Sequence, residues 1–427
     1  MSASPDEAPA SPESLVEQAG RRARVAAPTV AALSTSVKNG ALHDIAEGLL
    51  DEADRILQAN EEDVRQAERG RLPEPVIDRL TLTRPRLGAI AESVREVGAL
   101  PDPVGEVLRG SRRPNGLIVQ EVRVPIGVVG LIYESRPNIT VDAISLCLKA
   151  GNAVVLRGGA DAHASNLAIM ETVRRAMARH GIPDGAIQLI DSTHPRATER
   201  MMHLTEYLDV LIPRGSSELI RSVCGNATVA TIEAGSGNCH TFVERTARFD
   251  MAADIAFNAK VQRPGVVNSM ETLLIDRPIA EQFLPIIGPR MQAAGVELRG
   301  CEQTRAILPG VKPATEEDWY REYEDLILAV RVVDNLDLAI AHIARYGSHN
   351  SEAIVTQDYS AAKRFCERVD AAAVYVNAST RFTDGFELGL GAELGVSTQK
   401  LHRRGPIGLR ALTTWKWIVY GEGQVRD

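Results

Sequence analysis

Apolar residues recur at three- and four-residue spacing through residues 13–100, with Leu49, Leu50, Ile56 and Leu57 set among charges, and this spacing predicts helices. Thr83 reads as an N-cap, with Pro85 in the first turn of a helix running to about Val97. The period then changes. Short strand-like runs at 107–109 and 117–124 flank Arg113-Pro114-Asn115-Gly116, turn chemistry that predicts a hairpin. Its polar flanks suit a ribbon that projects from the body.

From residue 125 onward strand and helix patterns alternate. Strands are expected at 126–133, 153–157, 186–191, 210–213 and 228–233. Helices are expected between them at 140–150, 164–180, 196–204 and 216–224. This rhythm predicts a doubly wound, mostly parallel sheet. A second series follows from about residue 239, with strands at 271–275, 326–333, 353–356 and 372–377. The stretch 413–420, TTWKWIVY, is a last strand with Trp415, Trp417 and Val419 alternating onto one face. The fold class is α/β, with two doubly wound domains and a small β element.

Composition narrows the picture further. The 427 residues are 44% hydrophobic and 24% charged, enough for two or three domains with real cores. A net charge of −8 argues against a broad nucleic-acid surface. No apolar run approaches the roughly 18 residues of a membrane span. Residues 1–12, acidic and rich in Pro, Ser and Ala, are expected to be a disordered tail and not a signal peptide. The five cysteines, Cys147, Cys224, Cys239, Cys301 and Cys366, are scattered and form no CxxC pair. Neither a disulfide framework nor a metal site is indicated, and a cytoplasmic protein is expected.

Open α/β sheets bind ligands beyond the carboxyl ends of their strands, so the loops there carry the candidate chemistry. A Gly-x-Gly-x-x-Gly fingerprint is missing after the first strand of the series. Arg214-Gly215-Ser216-Ser217 opens a helix and could receive a phosphate, although a tight turn with a serine cap is the blander reading. Arg157-Gly158-Gly159 could meet a phosphate or ribose, or could be a surface arginine. In the polar run 133–138, Asn138 could cap a helix beginning at Thr140. The turn 234–238 follows Glu233. Cys239 and His240 beyond it point apart on a strand, and Cys239 reads as a buried structural residue. In the loop 377–385, Arg381 is suited to clamp a carboxylate. The glycine-dense stretch 389–395 follows closely.

Several long motifs together resemble one family. VPIGVVGLIYESRPNITVDAISLCLKAGNAVVLRGG (124–159), IPRGSSELI (212–220), IEAGSGNCH (232–240), NAKVQRPGVVNSMETLLI (258–275) and VNASTRFTDGFELGLGAELGVSTQKLHRRGPIGL (376–409) are similar to the γ-glutamyl phosphate reductases. These are also called glutamate-5-semialdehyde dehydrogenases, and the resemblance runs through residues 13–422. It implies the aldehyde dehydrogenase fold. An NADPH-binding domain would span 13–105 and 124–238, and a catalytic domain 239–400. An oligomerisation element would comprise 106–123 and 401–427, its hairpin pairing with the C-terminal strand of another subunit. The implied reaction reduces L-glutamyl 5-phosphate with NADPH to glutamate 5-semialdehyde and phosphate, the second step of proline biosynthesis. A homo-oligomer is implied, and glutamate 5-kinase is a candidate assembly partner.

The family's nucleophile is a cysteine in Gln-Arg-Pro-x-Val-Cys-Asn. Here Gln262 to Asn268 carries Val267 at that position, 34 residues after Glu233. Asn268 would offer its N–H to an oxyanion. The resemblance assigns Arg157, Gly215, Ser216, Glu233 and Glu322 to the cofactor. Arg136, Asn138, Asn377, Ser379 and Arg381 fall to the substrate. Lys260 and Arg263 are near enough in sequence to residue 267 to meet the leaving phosphate, a reading from proximity alone beside which a structural salt bridge stands equal. Without the thiol, three outcomes stand: an impaired reductase, a binding-only paralogue or engineered variant, and a reductase acting directly on a bound aldehyde.

Overall fold

The computed structural model describes residues 11–426. The chain divides into two compact units. The first comprises residues up to 233 together with 390–394 and 407 onward, and the second comprises 234–389 and 395–406. The division at 233/234 precedes the boundary expected at 238/239, so the whole glycine turn belongs with the second unit.

In the first unit, five helices span Pro12–Ala31, Thr35–Asp51, Ala53–Arg69, Glu74–Leu80 and Arg84–Ala99. Ser11 caps the first of these by accepting from the Ser14 N–H at 3.1 Å. Ser11 and Pro12 are therefore ordered, whereas the rest of the expected tail lies outside the described residues. Thr83 caps the fifth helix as expected, accepting from the Arg86 N–H. Polar side chains seat this layer. Lys38 is buried and paired with Asp102, and Lys149 donates to Asn39 and to the Gly98 carbonyl.

Four parallel strands follow in the order Ile187–Leu189, Ala153–Arg157, Val128–Tyr133 and Val210–Arg214. Val128–Tyr133 is buried along its whole length, the continuous apolar pattern of a parallel strand covered on both faces. The strand expected at 228–233 does not form. The segment follows Val210–Arg214 through a single bridge, Leu211 to Thr231, because the chain leaves the sheet after those few bonds.

The hairpin forms from Val107–Arg112 and Ile118–Pro125. The strand Thr413–Tyr420 pairs antiparallel with Ile118–Pro125 of the same chain over its full length, from Thr413 opposite Pro125 to Tyr420 opposite Ile118. Its partner is therefore this chain's own hairpin and not another subunit's. Backbone pairing in cis satisfies the ladder that pairing in trans was expected to supply.

The second unit is built on a seven-stranded sheet in the order Lys312–Pro313, Glu297–Gly300, Ile327–Val333, Met270–Asp276, Cys239–Val243, Ser351–Val355 and Ala373–Val376. All their pairings are parallel. Met270–Asp276, Cys239–Val243 and Ser351–Val355 are buried at every position.

Candidate active site

In the second unit, the glycine turn, the segment 262–268 and the loop after Ala373–Val376 meet around residue 267. Gly237 packs backbone to backbone on Val267, so that a Cβ at 237 would overlap the Val267 carbonyl group. The Cys239 Sγ donates to that same carbonyl at 3.2 Å. Cys239 is buried, and burial with Glu352 nearby pushes its thiol well up, which keeps it protonated and inert.

Asn268 is almost fully buried and pinned by its polar atoms. Its Nδ2 donates to the Thr383 carbonyl at 2.8 Å, its carbonyl accepts from Thr380 Oγ1 at 2.7 Å, and its Oδ1 accepts from Arg381. Arg381 Nε donates to Gln262 Oε1 at 2.8 Å, and Ser379 Oγ accepts from the Arg381 N–H at 3.2 Å. Arg381, Gln262 and Asn268 thus hold residue 267 from either side. Burial first, and then the nearby Arg263 charge, disfavours the charge of Arg381, so both cations lie in one neighbourhood. The amide of Asn377 is committed on both atoms to the backbone of Thr356 at 2.9 Å.

Lys260 is buried against Glu271, Nζ to Oε2 at 2.6 Å. The salt-bridge reading of Lys260 is the geometry observed, and burial raises the Glu271 carboxyl. Glu322 accepts from the Gly237 N–H at 2.8 Å. Burial, with Glu324 beside it, lifts the Glu322 pKa to about 7. Sequence reasoning missed Gly237 and Glu271. Gly237 carried a signal, as the fourth residue of the turn 234–238 that follows the candidate residue Glu233.

In the first unit, Arg157 ends its strand with Nη2 donating to the Thr193 carbonyl at 3.0 Å. Its Nε is buried and has no partner among the described residues. Gly215 and Ser216 are exposed at the start of the helix Ser217–Asn226. Ser216 Oγ caps the helix by accepting from the Leu219 N–H, while the Ser216 N–H donates to Glu134 Oε2 at 2.9 Å. A carboxylate therefore rests where the helix start favours an anion. Glu134 was not singled out from the sequence, although it lies in the polar run 133–138. An exposed glycine, a helix N-terminus and an orphaned guanidinium N–H fit the phosphate and ribose groups of a dinucleotide.

Asn138 does not cap a helix at Thr140. The helix begins at Pro137 with Arg136 as its N-cap, and Asn138 sits in the first turn with Nδ2 donating to Asp142 at 3.1 Å. Pro137 at the first position fixes the earlier start. Arg136 is half-buried at that boundary. Glu233, also half-buried, closes the first unit's main segment beside Cys224, whose thiol is raised by burial first and then by Glu233.

The family model described as "Aldehyde dehydrogenase family" matches residues 5–306. The γ-glutamyl phosphate reductase of Caldanaerobacter subterraneus is 55% identical over 96% of this chain and 99% of its own length. That of Carboxydothermus hydrogenoformans is 58% identical over 95% of this chain and 98% of its own. The crystal structure of the reductase from Thermotoga maritima superposes with a TM-score of 0.95 at 48% identity, covering 96% of this chain and all of that one. An acetylating aldehyde dehydrogenase from Geobacillus thermoglucosidasius shares the fold alone, with a TM-score of 0.70 at 16% identity, over 97% of this chain and 98% of that one.

Proposed function

The chain belongs to the aldehyde dehydrogenase family and within it to the γ-glutamyl phosphate reductases, and from that premise we propose that it binds NADPH and L-glutamyl 5-phosphate but lacks the covalent step. The reading rests on one observation. The segment Gln262 to Asn268 keeps the family motif on both sides of residue 267, where valine stands in place of the thiol.

With cysteine at 267 the reaction divides into two easier parts. The thiolate attacks the acyl carbon, the C–S bond forms, and the C–O bond to phosphate breaks. NADPH, when bound, supplies a hydride to the resulting thioester carbon. The thiohemiacetal then collapses, returning the thiolate and releasing the aldehyde. Asn268 would offer its N–H to the oxyanion in both parts. Arg381, which donates to the Asn268 side chain, would orient that residue and face the substrate carboxylate. Arg157, Gly215 and Ser216 would bind the phosphate and ribose groups of the cofactor, with Glu322 on the nicotinamide side. Valine has no lone pair to offer, so the first bond cannot form.

We also propose that the chain assembles through the three-stranded sheet of the first unit. Trp415, Trp417 and Val419 are each about half exposed there, and Val107–Arg112 is an exposed edge strand.

The test is NADPH oxidation with glutamyl phosphate by this chain and by Val267→Cys. The substitution is expected to raise turnover by about 10³–10⁶-fold. Full family-like turnover by the valine form would overturn the reading. Turnover by neither form, with NADPH still bound, would assign the chain to binding alone.

A further inference from the structure

The second unit has a cleft far from residue 267. Its volume is about 440 Å³, and its wall includes Arg277, Cys301, Gln303, Arg331, His342 and Arg345. Arg277 directly follows the strand Met270–Asp276, Cys301 follows Glu297–Gly300, and Asp334 follows Ile327–Val333. The cleft therefore opens at the carboxyl ends of three neighbouring parallel strands, where open α/β sheets place their ligands. Val267 lies before the amino end of Met270–Asp276. At roughly 3.3 Å per strand residue, about 20 Å separate it from the cleft.

Three arginines face this space against two carboxylates, Glu302 and Asp334. Arg277 is paired with Asp334, and Arg345 with Glu316 at 2.6 Å. Arg331 is different: among the described residues no carboxylate pairs with it. Its Nη1 donates to His342 Nδ1 at 2.9 Å, and its guanidinium lies 5.4 Å from the centre of the Trp319 ring. With a further hydrogen bond to Tyr346, these contacts fix the plane of the guanidinium without neutralising it. His342 is only 4% exposed, and burial together with His240, Arg331 and Arg345 holds it neutral, with a pKa of about 2. With Nδ1 accepting, its Nε2 carries the proton, and that N–H has no partner among the described residues.

We propose that this cleft binds a small anion presenting paired oxygens, a dicarboxylate or a phosphate, with Arg331 as the bidentate anchor and Arg277 and Arg345 flanking it. The anion would act as an effector. One wall residue, Tyr346, also holds the glycine turn, because its carbonyl accepts from Asn238 Nδ2 at 2.7 Å, and Trp319, stacked against Arg331, offers its carbonyl to the same amide at 2.8 Å.

The test is calorimetric titration of the full chain with malonate and, separately, inorganic phosphate, which distinguishes the two sources of the same chemistry. The unaltered chain is expected to bind one of them with a dissociation constant of about 1 mM or below, and Arg331→Gln to weaken it at least tenfold. Arg381→Gln, in the candidate active site, is expected to leave that binding within about twofold. If Arg331→Gln fails to fold, Arg277→Gln carries the same expectation. No binding of either anion overturns the proposal, as does binding that Arg381→Gln abolishes and the cleft variants spare.

Discussion

Gly237 and Val267 touch through their main chains, so closely that any side chain at 237 would overlap the Val267 carbonyl. That carbonyl also accepts from the Cys239 thiol, and the Gly237 N–H donates to Glu322. Residue 267 is therefore held by its backbone, which leaves its side chain free to differ without loss of the fold. Gly237→Ala is expected to destabilise the chain by about 3 kcal/mol, because backbone must move to admit the methyl group. Val267→Cys is expected to cost less than about 1.5 kcal/mol, since the two side chains are close in volume. Urea denaturation of the two variants decides the point, and equal costs would contradict it.

Glu134 occupies the Ser216 N–H at the start of an exposed helix, where a cofactor phosphate would compete with it. Glu134→Gln keeps an acceptor for that N–H but removes the negative charge. NADPH is expected to bind this variant about two- to fivefold more tightly, the size of a helix-terminus charge effect at an exposed site. Fluorescence titration measures it, and weaker binding would mean that Glu134 supports the cofactor instead of excluding it.

The alternation of strand and helix was legible because parallel strands such as Ala153–Arg157 and Val210–Arg214 are apolar up to a terminal arginine and bounded by glycine and polar turns. The segment 228–233 carries the same local pattern but makes only one bridge, and no local pattern reports how many ladder bonds a strand will find. The cis partner of Thr413–Tyr420 was equally invisible, because β propensity does not name a partner. At the candidate site, residue 267 and Arg381 were found through motif and loop position. The backbone approach of Gly237 and the Lys260–Glu271 pair needed tertiary structure, because each joins segments that sequence spacing alone does not bring together.

Glu322 gives the site a pH signature. Its pKa is raised to about 7, by burial first and then by Glu324. A carboxyl with a folded pKa above its unfolded value of roughly 4.3 stabilises the fold in its protonated form. That contribution is complete below about pH 4.3 and is lost as pH rises through about 7. Glu322→Gln keeps an acceptor for the Gly237 N–H without the charge. It is expected to be more stable than the parent by about 2 kcal/mol at pH 8, with the difference much smaller at pH 5. Thermal melts at the two pH values measure it, and a variant destabilised equally at both would show that the charge of Glu322 is needed for the fold.

The three-stranded sheet yields the last prediction. Thr413–Tyr420 closes one edge of Ile118–Pro125, and Val107–Arg112 closes the other. What remains outward is the apolar face of Trp415, Trp417 and Val419, with Arg109 lying 5.0 Å from the Trp417 ring centre, and the edge of Val107–Arg112. Three strands with so much exposed apolar surface are marginal unless another surface covers them. The full chain is expected to elute from a sizing column as an assembly larger than a monomer. Deleting residues 411–427 strips the ladder from Ile118–Pro125 and removes both of these tryptophans, and it is expected to leave a monomer or an aggregate. Because the deletion removes backbone pairing as well, Trp415→Glu with Trp417→Glu provides the sharper comparison: the ladder to Ile118–Pro125 stays, the apolar face is lost, and the chain is expected to elute as a folded monomer. An unchanged assembly size in both variants would rule out this sheet as the surface of association.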